Sequence, residues 1–128
     1  MLLVTGGQGK GPSDKLSSVE VLSAEGVPMN CNVPPLPAPR VYHTQDGLES
    51  CGGNTAKTSC VALNLSDGVW EESRQLQQPR HQHSSWRSLM GGVLLMGGAA
   101  GSARTTTEML SPTDSSTSAS FNLAYETS

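Results

Sequence analysis

No stretch of this chain approaches the roughly 18–20 consecutive apolar residues of a membrane-spanning helix, so membrane insertion by a helix is not expected. The opening Met1-Leu2-Leu3-Val4 is far too short for the apolar core of a signal peptide, and it reads equally well as a strand. Positive charge is scarce. Eight Lys and Arg face eleven Asp and Glu, for a net charge of −3, whereas nucleic-acid binding wants a basic stripe. The patterns Gly-x-Ser-x-Gly, Walker A and the zinc-protease His pair are missing, and no cofactor is implied. Apolar residues make up only 35% of the chain, which suits short strands and tight turns better than a thick core.

Glycine, in contrast, is abundant and ordered. Gly-Gly closes a short strand-like run at Gly6-Gly7, Gly52-Gly53 and Gly97-Gly98, in steps of 46 and 45 residues. A period of this length marks repeated supersecondary units. After each doublet comes a second stretch of strand character: Ser18–Ser23, Ser59–Asn64 and Thr106–Ser111. These are bounded by Gly, Ser, Asp and Pro, as strands and their turns are. Alternation sends Val19, Val21, Val61 and Leu63 to one face, and Glu20 and Ala62 to the other. Farther on stand Trp70 and Phe121, with Cys31 at that place in the first unit. Then follow a Pro-Arg pair (Pro39-Arg40, Pro79-Arg80) and a histidine-bearing run at Val41–Thr44 and Gln82–Trp86.

That order resembles the kelch repeat across roughly the whole chain. Leu22, Leu63 and Leu110 stand where the family carries an aromatic, and Trp70 keeps the family's Trp. The resemblance implies an all-β fold, a partial kelch-type β-propeller built from four-stranded antiparallel blades. Blade one would be partial over 1–38, with strands near 1–6, 17–23 and 29–34. Blade two, 39–78, would hold strands at 41–47, 48–53, 58–65 and 68–76. Blade three, 79–128, would hold 82–91, 93–98, 104–111 and 118–126. Trp70 would supply a large buried surface between two sheets. A closed propeller needs about four to eight blades, so the chain is expected to be a segment of a longer propeller, or to bury its end faces against other chains or copies of itself.

The Ser/Thr-rich tract from Ser102 to Ser120 fits an O-glycosylated stalk by composition. It reads better as strands, with a surface hairpin loop from Thr113 to Ser118. Cys51 ends one strand and Cys60 begins its hairpin partner, so a cross-strand disulfide is expected if the register pairs them. The alternative is three buried free thiols. Cys31 would then be left over, buried or paired outside the segment. Asn64-Leu65-Ser66 is a glycosylation sequon at a turn, and with the disulfide it tilts the reading toward an extracellular protein.

His81 and His83, at i and i+2, would share one face of a strand, a spacing that suits metal ligation. No carboxylate or Cys accompanies them, and His43 and His83 occupy equivalent repeat positions, which favours a structural role. Arg40 and Arg80 also recur. One reading puts them in contact with a partner; the other has them bonding backbone carbonyls. With Lys10, Lys57 and Arg104 they complete the candidate partner-contacting residues, near the loops 8–16, 54–57 and 99–103. The resemblance implies a protein-interaction module that uses those loops against an unidentified protein partner. The alternative is a fragment of a copper-radical oxidase-type or carbohydrate-binding propeller. An oxidase of that kind needs a Tyr–Cys crosslink, and Tyr42 and Tyr125 are the two tyrosines available.

Overall fold

Among the described residues, ten strands, all paired antiparallel, form three sheets that follow one another along the chain. The computed structural model describes residues 1–55, 57–99 and 105–111 and the backbone of 117–122. The first sheet is a hairpin of β1 (Leu2–Gln8) and β2 (Lys15–Leu22). The second is a four-stranded meander of β3 (Thr44–Asp46), β4 (Glu49–Cys51), β5 (Ser59–Asn64) and β6 (Val69–Gln75). The third repeats it with β7 (Ser84–Arg87), β8 (Val93–Met96), β9 (Thr106–Leu110) and β10 (Thr117–Asn122). Among the described residues there is no α-helix. The stretches 58–65 and 104–111 hold β5 and β9, as their alternation predicts; Arg104 itself and the tip at 112–116 lie outside the described residues.

The glycine doublets do the same thing three times. Their φ angles are 61° and 110° at Gly6-Gly7, 70° and 111° at Gly52-Gly53, and 66° and 126° at Gly97-Gly98. Positive φ at two successive residues is strained for any side chain. The doublet turns the chain, at a register shift inside β1 and at the ends of β4 and β8, and its second amide reaches the next unit: Gly7 N donates to Arg40 O at 2.7 Å and Gly53 N to Arg80 O at 2.8 Å.

Burial follows the alternation read from sequence. Val61 and Leu63 are buried with Ala62 less so, and Val21 is buried beside an exposed Glu20. The main cluster lies between the second and third sheets: Cys51, Cys60, Leu76, Val93, Leu95 and Leu110. Each fully buried Leu there contributes about 1.5–3 kcal/mol. Cys51 and Cys60 face each other in the β4–β5 register and are joined by a disulfide. By loop closure, a bridge between residues 9 apart stabilises by about 2–3 kcal/mol.

Three expectations need correction. The strand expected at 29–34 does not form. Pro28, Pro34, Pro35 and Pro37 remove amide donors, and the segment touches β2 only at spaced points: Met29 N to Val21 O at 2.8 Å and Leu36 N to Ser17 O at 2.8 Å. Cys31 in this segment is exposed rather than buried, and it has no disulfide partner among the described residues. Trp70 is half-buried instead of sitting in the core. Its indole Nε1 donates to Pro34 O at 2.9 Å, pinning the proline segment to β6.

Candidate functional site

Both Pro-Arg pairs sit at the seams between successive sheets. Arg40 N donates to Leu16 O and Arg80 N to Lys57 O, so each backbone is tied to the preceding sheet. Each side chain turns into its own sheet. Arg40 Nη1 donates to Gly52 O at 2.9 Å and Ser59 O at 2.8 Å, and Nη2 to Ser59 Oγ at 2.9 Å. Arg80 repeats this on Gly97 O at 2.7 Å, Thr106 O at 2.9 Å and Thr106 Oγ1 at 2.7 Å. A planar guanidinium with five donors can satisfy several carbonyls that a turned strand end leaves behind. Arg80 also pairs with Glu108 at 3.1 Å, both side chains fully buried. Burial pushes the Arg40 pKa down from its ordinary value, and the charge of Glu72 opposes that shift. At 2% and 0% exposure, Arg40 and Arg80 have no surface to offer a partner. Their assignment as partner contacts is corrected to a structural one.

The histidines complete the seams. His43 Nε2 lies 3.0 Å from Thr5 Oγ1, and His83 Nε2 lies 2.9 Å from Thr44 Oγ1. The strands begin at Thr44 and Ser84, later than expected, because Tyr42 and Gln82 adopt φ of 61° and 55°. His81 and His83 therefore flank a left-handed residue and do not alternate along a strand. Among the described residues, no three ligand atoms that include a histidine lie within 4.8 Å of one another. The group that does converge is Glu49 with Cys51 and Cys60. Its two sulfurs are bonded to each other, which leaves no thiolate to ligate.

Burial first, then the charge of Arg80, then the neighbouring His43 and His81, lower the His83 pKa to about 4. His43 is lowered as well, by burial and then Arg40, with a hydrogen bond to Thr5 opposing. In the unfolded chain an imidazole takes its proton near pH 6.5, while folded His83 resists until about pH 4. Its contribution is therefore complete above pH 6.5 and is lost as the pH falls toward 4. The linkage amounts to about 3 kcal/mol. Chemical denaturation from pH 7 to pH 4 is expected to show this slope, and His83→Gln is expected to flatten it. An unchanged slope in the variant rules out His83 as its source.

On the outer surface of the seams stand Tyr42, which is 51% exposed, and Gln82. They occupy the same place in consecutive units and are joined by Gln82 N donating to Tyr42 O at 2.9 Å. The loops after the doublets lie beside them, through Asn54 N to Val41 O at 2.8 Å and Ala99 N to His81 O at 2.9 Å. Lys10 and Lys57 are exposed on the loops after the first two doublets; Arg104 and Tyr125 lie outside the described residues. Sequence reasoning passed over Gln82 and weighed Tyr42 only as an oxidase ligand. The signal was there: both follow a Pro-Arg-x step and precede His.

A second feature was invisible in the sequence. At the opposite end of the second sheet, a pocket of about 370 Å³ is lined by Asp46, Glu49, Ser73, Arg74 and Arg87, among others. Glu49 and Arg74 form an ion pair at 3.0 Å, and Arg74 Nη1 also donates to Ser111 O at 2.8 Å. Arg87 Nη2 donates to Asp46 O at 3.1 Å. These side chains come from separate strands with no shared local motif, so only the pairing brings them together. With its carboxylate and guanidinium already joined, the pocket reads as a seam between sheets. Asn64 closes β5, and its Oδ1 accepts from Ser66 N at 2.9 Å across the turn. No protein-family model and no characterised protein matches the chain in sequence.

Proposed function

We propose that the chain is part of a kelch-type β-propeller that serves as a protein-interaction module. Its recognition face would be the end carrying the doublet loops. The recurring doublet geometry and the Arg-to-carbonyl seams support reading 39–78 and 79–128 as two blades and 1–38 as a partial one. Because a ring takes about four to eight blades, further blades would complete it, from the same parent chain or by association.

The observation that carries the binding reading is the Tyr42–Gln82 pair. Two exposed polar or aromatic side chains are held in left-handed backbone at equivalent positions, side by side. Strain at exposed, over-determined positions is a feature of recognition surfaces, and Tyr gives large contact area at low entropic cost. Lys10 and Lys57 would add charge at the rim. The disulfide fits an oxidising, extracellular setting, in which Asn64 would be open to glycosylation. The oxidase alternative gains nothing from Cys51 and Cys60, which are bonded to each other.

A photoreactive residue at position 42 tests the proposal against the same residue at position 89. Leu89 is fully exposed in the β7–β8 hairpin, at the other end of its sheet. In an extract of cells that make the protein, position 42 is expected to capture a protein that position 89 does not, and Gln82→Lys is expected to remove it. Identical adducts from both positions, or none from position 42, defeat the proposal.

A further inference from the structure

The disulfide of the second sheet has a third group beside it. Glu49 and Cys51 stand at i and i+2 on β4, so they share one face of the sheet, and the register sets Cys60 of β5 opposite Cys51. The two sulfurs and a Glu49 carboxylate oxygen all lie within 4.8 Å of one another. Ala62 is the residue opposite Glu49, and its small side chain leaves the carboxylate room.

The surroundings hold this carboxylate as the partners of a metal ligand do. Ser73 Oγ and Arg74 Nε both donate to Glu49 Oε2, at 2.5 and 3.0 Å, and such bonds fix the orientation of a ligating group. Oε1 takes neither of them. Arg74 is also the cross-strand partner of Cys60, and a guanidinium nearby favours thiolate over thiol. Both cysteines are buried, Cys60 fully.

Charge and access point the same way. With the bridge open, two thiolates and one carboxylate against the single Arg74 guanidinium leave a local charge of −2, which one divalent cation balances. Sulfur donors favour zinc-like ions over magnesium or calcium. Glu49, Ser73 and Arg74 also line the pocket of about 370 Å³. That pocket supplies an entry path, and it leaves a fourth coordination position open to water or to a donor atom of a small ligand.

We infer that Cys51 and Cys60 in their dithiol form, with Glu49, are a site for one zinc-class divalent ion, and that the disulfide is the closed form of this site. The dithiol has two fates. A small-molecule disulfide RSSR oxidises it by exchange: the Cys51–Cys60 bond forms, the R–S–S–R bond breaks, and two RSH leave with the two protons. Alternatively the metal ion binds both sulfurs and Glu49 and displaces the two protons, with no electron transferred. A bridged sulfur carries no thiolate charge, so the two states exclude each other. A reducing compartment favours the metal and an oxidising one the bridge. The site is separate from the Tyr42–Gln82 surface and stands or falls independently of it.

Cobalt(II), a spectroscopic stand-in for zinc, tests this on the 128-residue chain carrying Cys31→Ser, which removes the exposed third thiol. After reduction with a phosphine, the chain is expected to bind one equivalent, with thiolate-to-cobalt absorption in the near ultraviolet that added zinc abolishes. The oxidised chain is expected to show no such band. Glu49→Gln is expected to weaken binding about tenfold or more, since even the groups that merely orient a ligand are worth that much; Arg74 keeps its bond to Ser111 O in that variant. If reduction alone loosens the sheet, stoichiometric cobalt is expected to restore the β signal in circular dichroism. A missing thiolate band, equal affinity of the Glu49→Gln chain, equal binding by the oxidised chain, or a reduced chain that cobalt fails to refold each overturn the inference and leave the bridge as a staple only.

Discussion

Arg80→Met is expected to lower the unfolding free energy by about 3–5 kcal/mol, the usual result of removing one partner from a buried ion pair. The variant would leave the Glu108 carboxylate in a site without solvent exposure, and it would strip the Gly97 and Thr106 carbonyls of a donor. Arg40→Met supplies the internal comparison. Arg40 makes the same bonds to Gly52 O and Ser59, but Val61 stands where the third sheet has Glu108, and its Nε has no hydrogen-bond partner. The loss there is expected to be smaller, about 2–3 kcal/mol. Denaturant midpoints at constant slope measure both. The double variant Arg80→Met/Glu108→Gln is expected to recover part of the loss, because it removes the stranded charge. If Arg80→Met costs no more than Arg40→Met, the ion pair contributes nothing net and the hydrogen bonds alone hold the seam.

Gly52→Ala is expected to be comparably damaging, for a steric reason. A Cβ there would lie 2.5 Å from the Arg80 carbonyl oxygen and 2.8 Å from His83 Cε1, at a φ of +70°. The carbonyl is backbone and is itself bonded to Gly53 N, so it cannot give way without opening the seam. Gly68→Ala separates the two contributions. Its φ is +72°, yet nothing lies within 4 Å of the added atom. It is expected to cost about 1–2 kcal/mol, the left-handed penalty alone, and Gly52→Ala about 3 kcal/mol or more. Thermal melts of the two variants side by side decide this. Similar losses would mean that φ matters and the close approach does not.

The sequence by itself determined the order of the strands and most of the strands themselves, the one expected at 29–34 excepted. Gly doublets can hold two positive φ angles in succession where other residues are strained, so their period located the ends of β4 and β8 and the irregularity inside β1. Alternation at Val61–Ala62–Leu63 set the buried face, and proximity across one hairpin pointed to a Cys51–Cys60 bridge on condition of a register that the pairing of β4 with β5 supplies. These are local constraints, written within a few residues of where they act. The prolines between Pro28 and Pro39 were equally visible, and their missing donors are the reason no regular strand forms there. What only the tertiary structure decided is which groups meet across sheets. For Arg40 and Arg80 the sequence left partner contact and carbonyl bonding side by side, and it did not say which carbonyls; those of Gly52 and Gly97, 12 and 17 residues away, close around them. The recurrence of His43 and His83 favoured a structural role, but that His83 follows the left-handed Gln82 and meets Thr44 Oγ1 is a tertiary fact. The difference between Glu108 and Val61 emerges only from strand register. A carboxylate two residues from a threonine says nothing until pairing shows that both face the Arg80 guanidinium.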